Sequence, residues 1–266
     1  REWTVRVRIG DNMEVSVVIP NFNGIAFLDS VLASLEGQTL NNFEVILVDN
    51  GSTDGSCSFV TANYPWVHLI ELSENFGFCG AVNAGIRAAK ASYVLLLNND
   101  TEVKEDFVEE MLAAIRRHKN AFSCGARMVQ YHDRDKLDDV GNYYCALGWS
   151  FARGRGKDIH AYETEDRIFS ACAGAAIYRK KILEKIGYFD EEHFAYLEDT
   201  DIGYRARIYG YENWYAPKAI VYHVGSGTSG SRYNQFKTRY SSRNNIYLIY
   251  KNMPLLQIIL NLPFLV

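Results

Sequence analysis

Carboxylate and amide side chains follow directly on an apolar run in the segment YVLLLNNDTEV, residues 93–103. A run of this kind, bounded by turn formers, predicts a strand that is buried on both faces. Asn98, Asn99 and Asp100 would then stand at its carboxyl end, where open α/β sheets bind ligands. The same residue types also form plain Asx turns and helix caps, so this one segment leaves both interpretations open.

Two earlier predicted strands also end in polar residues. The segments IPNFN (19–23) and VDNGSTDG (48–55) bring four such side chains to the ends of these strands: Asn21, Asn23, Asp49 and Asn50. Because parallel strands end at one edge of a sheet, we expect these groups to converge with Asp100. Neither GxGxxG nor GxxxxGK[ST] occurs in the phosphate-binding position, so a bound nucleotide would need another means of neutralising its diphosphate. A divalent cation held by Asp100 would provide it.

Three further groups of residues have the chemistry of a site. Glu198 and Asp199 begin the predicted helix of LEDTDIGYRAR, where an acid can serve as a general base or simply favour the helix dipole. His223 ends a predicted strand and is either a ligand or a structural histidine. Arg239 and Arg243 are four residues apart on a helix, a spacing suited to gripping a diphosphate or to forming a solvated basic face.

The elements that must position these residues alternate regularly in the first half of the chain. Strands are expected at 14–21, 43–50, 66–72 and 92–99, and helices at 26–38, 80–91 and 103–119. This spacing predicts a parallel, doubly wound α/β sheet. After about residue 121 the pattern loosens into strands at 122–131 and 213–224, a polar and aromatic excursion over 132–168, and a helix at 234–252.

Charge is distributed unevenly along the chain. The 32 acidic and 28 basic residues give a net charge of -4, which argues against nucleic acid as a partner. No acidic residue follows Glu212, however, and six basic ones do. The final segment NMPLLQIILNLPFLV (252–266) is apolar but shorter than the roughly 20 residues of a membrane span. It fits the start of a span, a docking helix or an interfacial helix, and the basic residues before it favour attachment to a membrane surface.

The five cysteines are widely spaced and form no CxxC pair. Neither a disulfide framework nor a zinc site is expected from this arrangement, and a reducing compartment is favoured. Together with the basic and apolar C-terminal segment, this predicts a cytoplasmic protein at the inner face of the cell membrane.

Seven segments taken in order resemble glycosyltransferase family 2, whose members are inverting enzymes with the GT-A fold. They are VSVVIPNFNG, FEVILVDNGSTDGS, NFGFCGAVNAGI, LLLNNDTEV, GAAIYRKKILEKIGYFDEEHF, YLEDTDIGYRAR and VYHVGSGTSG. The variants VDNGSTDGS and LNND and the RNN at 243–245 are most similar to the rhamnosyltransferase-like branch, which builds surface polysaccharides. The resemblance implies a GT-A domain over 14–225, with a nucleotide-sugar half at 14–100 and an acceptor half at 101–225. The segment 226–266 would be a basic and apolar helical appendage.

The resemblance also implies residue roles. Phe22 and Asn23 lie where the family contacts the nucleotide base, and Asn50 lies where many members carry an Asp that reads uracil. Segment NND corresponds to the family's DXD motif, with Asn98 in place of its first Asp and with Asp100 as the ligand of Mg²⁺ or Mn²⁺. His223 is expected to assist at the metal or diphosphate. Nucleotide-sugar contacts are also expected from seven other residues: Pro20, Asp49, Asn83, Asn99, Glu198, Arg239 and Arg243.

The activity implied is a single displacement. Asp199 would deprotonate an acceptor hydroxyl, which attacks the anomeric carbon of a nucleoside-diphosphate sugar such as a dTDP-rhamnose-like donor or a UDP-sugar. The acceptor would be a saccharide or a lipid-linked glycan. Two alternatives stay open: a catalytically silent sugar-nucleotide or glycan-binding protein, and a sugar nucleotidyltransferase. The second would be expected to carry a basic, glycine-rich loop after the first strand, where this chain has NFNGIAFLDS.

Overall fold

The structure is a computed structural model that describes residues 13–225 and 234–264. The predicted alternation of strands and helices in the first half is confirmed. This half contains β1 (Val15–Asn21), α1 (Ile25–Glu36), β2 (Phe43–Asp49), α2 (Ser56–Asn63), β3 (His68–Glu71), α3 (Gly77–Ala88) and β4 (Tyr93–Leu97). Helix α2 was not predicted, because SCSFVTAN has no strong apolar period.

The second half is richer in short strands. It contains β5 (Thr101–Val103), α4 (Phe107–Arg117), β6 (Ala121–Gln130), β7 (Leu137–Asp139), β8 (Asn142–Tyr144), β9 (Ser150–Ala152), β10 (Asp166–Ile168), β11 (Ala175–Arg179), α5 (Lys180–Ile186), α6 (Glu198–Ile208) and β12 (Glu212–His223). A 3₁₀ turn at Glu191–His193 precedes α6. After the undescribed residues 226–233, the chain continues in α7 (Gln235–Asn252), α8 (Leu255–Asn261) and a 3₁₀ turn at Leu262–Phe264.

One mixed sheet of ten strands runs through both halves, in the order β10-β12-β6-β11-β4-β1-β2-β3, with β5 paired to β12 and β7 to β6. Strands β4, β1, β2 and β3 are mutually parallel, as the alternating pattern predicted. Strand β11 enters antiparallel to both β4 and β6. Strands β8 and β9 form a separate hairpin.

The central strands are apolar on both faces because helices cover both sides of the sheet. Val17 and Ile19 of β1 pack in one core layer, while Val18 packs in the other. Helix α3 approaches β1 closely through Gly85, where an added Cβ would lie 2.3 Å from Cγ1 of Val18. The strand ends are thereby held rigidly at one edge of the sheet.

The helix predicted over 103–119 begins only at Phe107. The residues before it form β5, which pairs with the end of β12 so that Thr101 lies opposite His223. The amide of Val224 also donates a 3.0 Å hydrogen bond to the carbonyl of Asp100. A pairing between segments 120 residues apart therefore places His223 beside Asp100.

The C-terminal helices pack onto the second half through three buried asparagines. The Nδ2 atom of Asn244 lies 2.7–2.8 Å from three backbone carbonyl oxygens of the segment that leads into α6. Asn252 donates to Asp201 of α6 at 2.7 Å, and Asn261 donates to the carbonyl of Ala146 at 2.7 Å. Among the described residues, no helix is both long enough and apolar enough to cross a membrane.

Candidate active site

A cavity of about 1040 Å³ opens at the carboxyl ends of β1, β2 and β4. Its first side, the strand-end wall, is formed by the ends of these strands together with the end of β12. Its second side, the acid wall, is formed by residues 194–199. Ten of the predicted site residues line the cavity: Pro20, Asn21, Phe22, Asn50, Asn98, Asn99, Asp100, Glu198, Asp199 and His223.

Side-chain hydrogen bonds connect the strand ends that form the strand-end wall. The Nδ2 atom of Asn99 donates to Oδ1 of Asn21 at 2.7 Å, and Nδ2 of Asn21 donates to Oδ1 of Asp49 at 2.9 Å. The second oxygen of Asp49 accepts from the backbone amide of Ser52 at 2.8 Å. Asp49 is buried and supports the loop after β2 rather than lining the cavity.

Both polar atoms of the Asn50 side chain form hydrogen bonds with the backbone at the start of α3. Its Oδ1 accepts from the backbone amide of Phe76 at 2.9 Å, and its Nδ2 donates to the carbonyl of Gly77 at 3.0 Å. An amide can make both bonds at once, whereas a carboxylate could only accept. The contact between Asn50 and a nucleotide base stays a prediction.

Two other predicted contacts lie outside the cavity lining. Asn23 is exposed, with a φ of 48°, and its Oδ1 accepts from the amide of Thr53 at 2.8 Å. Asn83 is buried in α3 and donates to the carbonyl of Phe189 at 2.8 Å. Both side chains brace neighbouring segments in this structure.

An acid–histidine–acid arrangement stands at the end of β12. The Nε2 atom of His223 lies 3.3 Å from Oδ1 of Asp100, and its Nδ1 lies 2.7 Å from Oδ2 of Asp138. The guanidinium of Arg155 in turn donates to Asp138 at 2.9 Å. Burial opposes charge on the imidazole, but the two carboxylates outweigh it and raise the pKa of His223 to about 10.

Asp100 and His223 present one oxygen and one nitrogen 3.3 Å apart toward the cavity. Within residues 13–225 and 234–264, no cluster of three or more His, Cys, Asp or Glu side chains is arranged to hold a metal ion. Mg²⁺ is commonly bound by only one or two protein ligands, with water and substrate phosphates completing the shell. Asp100 therefore fits a cation whose shell is completed by the substrate, and His223 could join it through Nε2 once the cation has displaced the proton on that nitrogen.

The acid wall contains Glu198 and Asp199, the first residues of α6, with Glu198 buried and Asp199 half-buried at the cavity. Oδ2 of Asp199 accepts from Nδ2 of Asn142 at 3.4 Å. Burial raises the pKa of Asp199, and burial together with the Asp199 charge raises the pKa of Glu198 to about 8. The large rise at Glu198 favours its protonated form, which reduces its repulsion of the Asp199 carboxylate.

The segment that precedes the acid pair has a strained backbone. Phe194, Tyr196 and Leu197 have φ values of 62°, 72° and 64°, a left-handed region that costs non-glycine residues roughly 1–3 kcal/mol each. Asn244 reaches the carbonyls of this segment, and the guanidinium of Arg243 donates to the carbonyl of His193 at 3.1 Å. Strain of this kind persists only where surrounding contacts impose it.

The predicted pair of arginines does not meet at the cavity. Arg243 is engaged with the backbone before α6, and Arg239 is exposed on α7. The cations that do line the cavity are Arg155 and Lys237. Arg155, Asp138 and Asp139 were not predicted as site residues, because the segment 132–168 shows no periodic pattern. Burial, reinforced by the charge of Asp199, raises the pKa of Asp139 well above its usual range.

Comparison with known proteins fits this geometry. The chain is 27% identical over 236 residues to the N-acetylglucosaminyl-diphospho-decaprenol L-rhamnosyltransferase of Mycobacterium tuberculosis, covering 80% of this chain and 77% of that protein. It is 31% identical over 133 residues to the glycosyltransferase GlyG of Streptococcus pneumoniae, covering 49% of this chain and 42% of that protein.

Solved structures share the fold. GalNAc-T7, crystallised with UDP, GalNAc and Mn²⁺, superposes with a TM-score of 0.71 at 15% identity over 90% of this chain. S. aureus TarS superposes with a TM-score of 0.59 at 19% identity, also over 90% of the chain. The chain spans 48% and 44% of those two longer proteins. The predicted GT-A fold is confirmed by these likenesses.

The family model described as Glycosyl transferase family 2 matches residues 16–187. This range includes all of the strand-end wall that β1, β2 and β4 contribute. The resemblance carried by the sequence motifs is thereby confirmed: the chain belongs to glycosyl transferase family 2.

Proposed function

We propose that this glycosyltransferase transfers a sugar with inversion from a nucleoside-diphosphate sugar to a hydroxyl of a saccharide or lipid-linked glycan in cell-surface polysaccharide synthesis. The observation that carries the proposal is the single cavity with Asp100 and His223 on one wall and Asp199 on the other. Similarity to a rhamnosyltransferase favours a dTDP-rhamnose-like donor, and a UDP-sugar is the second candidate.

Asp199 acts as the general base in this proposal. It takes the proton of the acceptor hydroxyl while the hydroxyl oxygen forms a bond to the anomeric carbon of the donor. The bond from that carbon to the diphosphate breaks, and the electron pair leaves with the diphosphate. Protonated Glu198 leaves Asp199 as the carboxylate of the pair, and Asn142 and Thr200 orient its two oxygens.

Negative charge grows on the departing diphosphate at the strand-end wall. Asp100, together with His223 after loss of its Nε2 proton, would hold Mg²⁺ or Mn²⁺, which would supply the positive charge that stabilises this leaving group. Asp138 fixes the His223 ring through Nδ1, so that Nε2 points toward Asp100. Arg155 and Lys237 line the same cavity and add positive charge.

Release of nucleoside diphosphate tests the proposal. Purified protein is incubated with dTDP-, UDP- and GDP-sugars and Mn²⁺, with a lipid-linked or saccharide acceptor, and the same donors are tested with EDTA. The proposal expects one donor class to be consumed in a metal-dependent way and Asp199→Asn to abolish most turnover. A silent binding protein would show a thermal shift with a donor but no release in any mixture.

Attachment to the inner face of the cell membrane completes the proposal, because a lipid-linked acceptor would be reached there. The basic residues after Glu212 and the apolar C-terminal segment support it.

A further inference from the structure

Exposed apolar side chains are concentrated in one part of the molecule. Sixteen large hydrophobic residues are exposed among those described, and twelve of them lie on the β8–β9 hairpin, on α7 from Ile246 onward, or on α8 and the turn after it. We call these twelve the apolar face: Tyr143, Leu147, Trp149, Phe151, Ile246, Tyr250, Leu255, Leu256, Ile259, Leu260, Leu262 and Phe264. Single exposed hydrophobic residues are ordinary, whereas a group of this size marks an interaction surface.

The two parts of the apolar face are joined by direct contacts. The side chain of Asn261 on α8 donates to the carbonyl of Ala146 in the hairpin turn at 2.7 Å. Gly148 of the same turn lies against α7, and a Cβ there would be 2.7 Å from Cδ1 of Ile249. The hairpin turn and the C-terminal helices therefore form one continuous surface, although about 100 residues separate them in the chain.

Helix α8 presents its apolar residues outward. Leu255, Leu256, Ile259 and Leu260 recur at helical spacing and are 52–72% exposed, while Asn261 is buried toward the hairpin. In a helix that docks on its own domain, the apolar side faces inward. Here the polar residue is buried and the leucines face solvent, which is the arrangement of a helix that rests on an apolar surface.

The charged residues near the apolar face indicate which kind of surface it binds. Residues 142–152 and 234–264 contain no acidic residue, although the protein has 32 of them elsewhere. Of the basic residues on the C-terminal helices, Arg239 is exposed on α7, whereas Lys251 pairs with Asp190 and Arg243 donates to a backbone carbonyl before α6. A second copy of this chain would bring the same basic charge to the interface, whereas an anionic lipid surface is complementary to it.

We propose that the apolar face docks on the surface of an anionic lipid bilayer, with α8 in the plane of the interface and Trp149 as the anchor of the hairpin. This goes beyond attachment by the C-terminal segment, because the hairpin makes contact as well. Its binding requires neither donor nor acceptor, so it stands or fails separately from the proposed activity.

The surface is coupled to the acid wall. Asn142 at the start of the hairpin contacts Asp199, and the hydroxyl of Ser150 lies 3.1 Å from that of Thr200 in α6. A bilayer on the apolar face would thus lie on the side of the molecule that holds the acid pair. An acceptor anchored in lipid would present its head group to Asp199 from there.

Sedimentation with vesicles tests the proposal on the full chain. The protein should bind vesicles of phosphatidylcholine with phosphatidylglycerol and bind phosphatidylcholine alone more weakly. Leu256→Glu with Ile259→Glu should lower the partition coefficient at least about tenfold, since two large side chains leave the lipid. Ser58→Glu with Ala62→Glu on α2 adds the same charge near the opposite sheet edge and should leave binding unchanged.

Brominated lipid provides the readout for the hairpin. Vesicles that carry bromine on the acyl chains should quench part of the tryptophan emission, and Trp149→Phe should remove that quenching while the protein still binds. Binding without any loss of quenching in Trp149→Phe would show that the hairpin does not touch lipid. No vesicle binding, or a dimer that Leu256→Glu with Ile259→Glu dissociates, would overturn the proposal.

Discussion

The strand-end wall and the acid wall of the cavity are built in different ways. In the first, Asn21, Asn50 and Asn99 follow parallel strands directly, and their amides bond to one another or to the next loop. In the second, Asp199 follows three residues with left-handed φ, held in place by Asn244 from the C-terminal helix. Placement on the first wall is local to the strand ends, whereas placement on the second depends on a remote segment.

This difference predicts how each wall responds to substitutions. The strand-end wall inherits the rigidity of a sheet covered on both sides, so single changes there should act mainly on ligand contact. The acid wall stores backbone strain that α7 must restrain, so changes far from the cavity should reach the chemistry.

The largest effect is expected at Asp199. Asp199→Asn keeps the size of the side chain and one of its two acceptor oxygens but removes the base, so kcat should fall by about 10²–10⁴-fold while donor affinity is kept. Single-turnover kinetics with the preferred donor would measure the loss, and calorimetric titration would measure affinity. Glu198→Gln is the control, since the raised pKa of Glu198 already favours its protonated form, and its kcat should fall much less. Near-normal turnover in Asp199→Asn would mean that another group is the base.

Asp100→Ala probes the other wall. This change removes the carboxylate beside His223 and should weaken both donor binding and turnover, because Asp100 contributes to holding the diphosphate through its cation. Thermal shift with the donor in the presence and absence of Mn²⁺ would show the loss as a missing metal-dependent stabilisation. A full shift in Asp100→Ala would argue against Asp100 as the ligand. Asp133→Ala, which removes an exposed carboxylate outside the cavity lining, is the control.

Asn244→Ala tests the remote restraint. It leaves buried carbonyls of the strained segment without their donor, at a cost of about 1–3 kcal/mol, or several degrees in Tm. We also expect kcat to fall with little change in donor KM, because the acid pair moves while the strand-end wall does not. Ser242→Ala on the exposed side of α7 is the control.

In Asn50→Ala the pattern should reverse, with donor KM raised more than kcat is lowered. If Asn244→Ala and Asn50→Ala change the same kinetic parameter, the proposed difference between the two walls is wrong.

Much of the strand-end wall could be predicted, since apolar strands followed by polar residues are a local pattern. Asp100 was predicted in this way and Asp199 by the resemblance, and both line the cavity. Asp138 and Asn244 were not found, because their partners His223 and residues 193–196 lie far away in the chain. The asparagine residues of α7 and α8 look like ordinary polar positions until folding buries them.

The smallest expected effect concerns pH and stability. The pKa of Glu198 is raised from its ordinary 4.5 to about 8. A raised pKa of an acid contributes stability that is complete below about pH 4.5 and is lost as pH rises through about 8. Glu198→Gln cannot ionise, so its Tm relative to the native protein should rise between pH 5 and pH 9. The exposed Glu192→Gln is the control, and an unchanged difference across that range would contradict the burial of an ionisable Glu198.

A structure of Asp199→Asn with its donor sugar nucleotide and Mn²⁺ bound would test the central claim most directly. The account predicts that the diphosphate lies against Asp100 and His223, and that residue 199 faces the anomeric carbon from the opposite side. A diphosphate bound elsewhere, or an anomeric carbon turned away from residue 199, would contradict the assignment of the two walls.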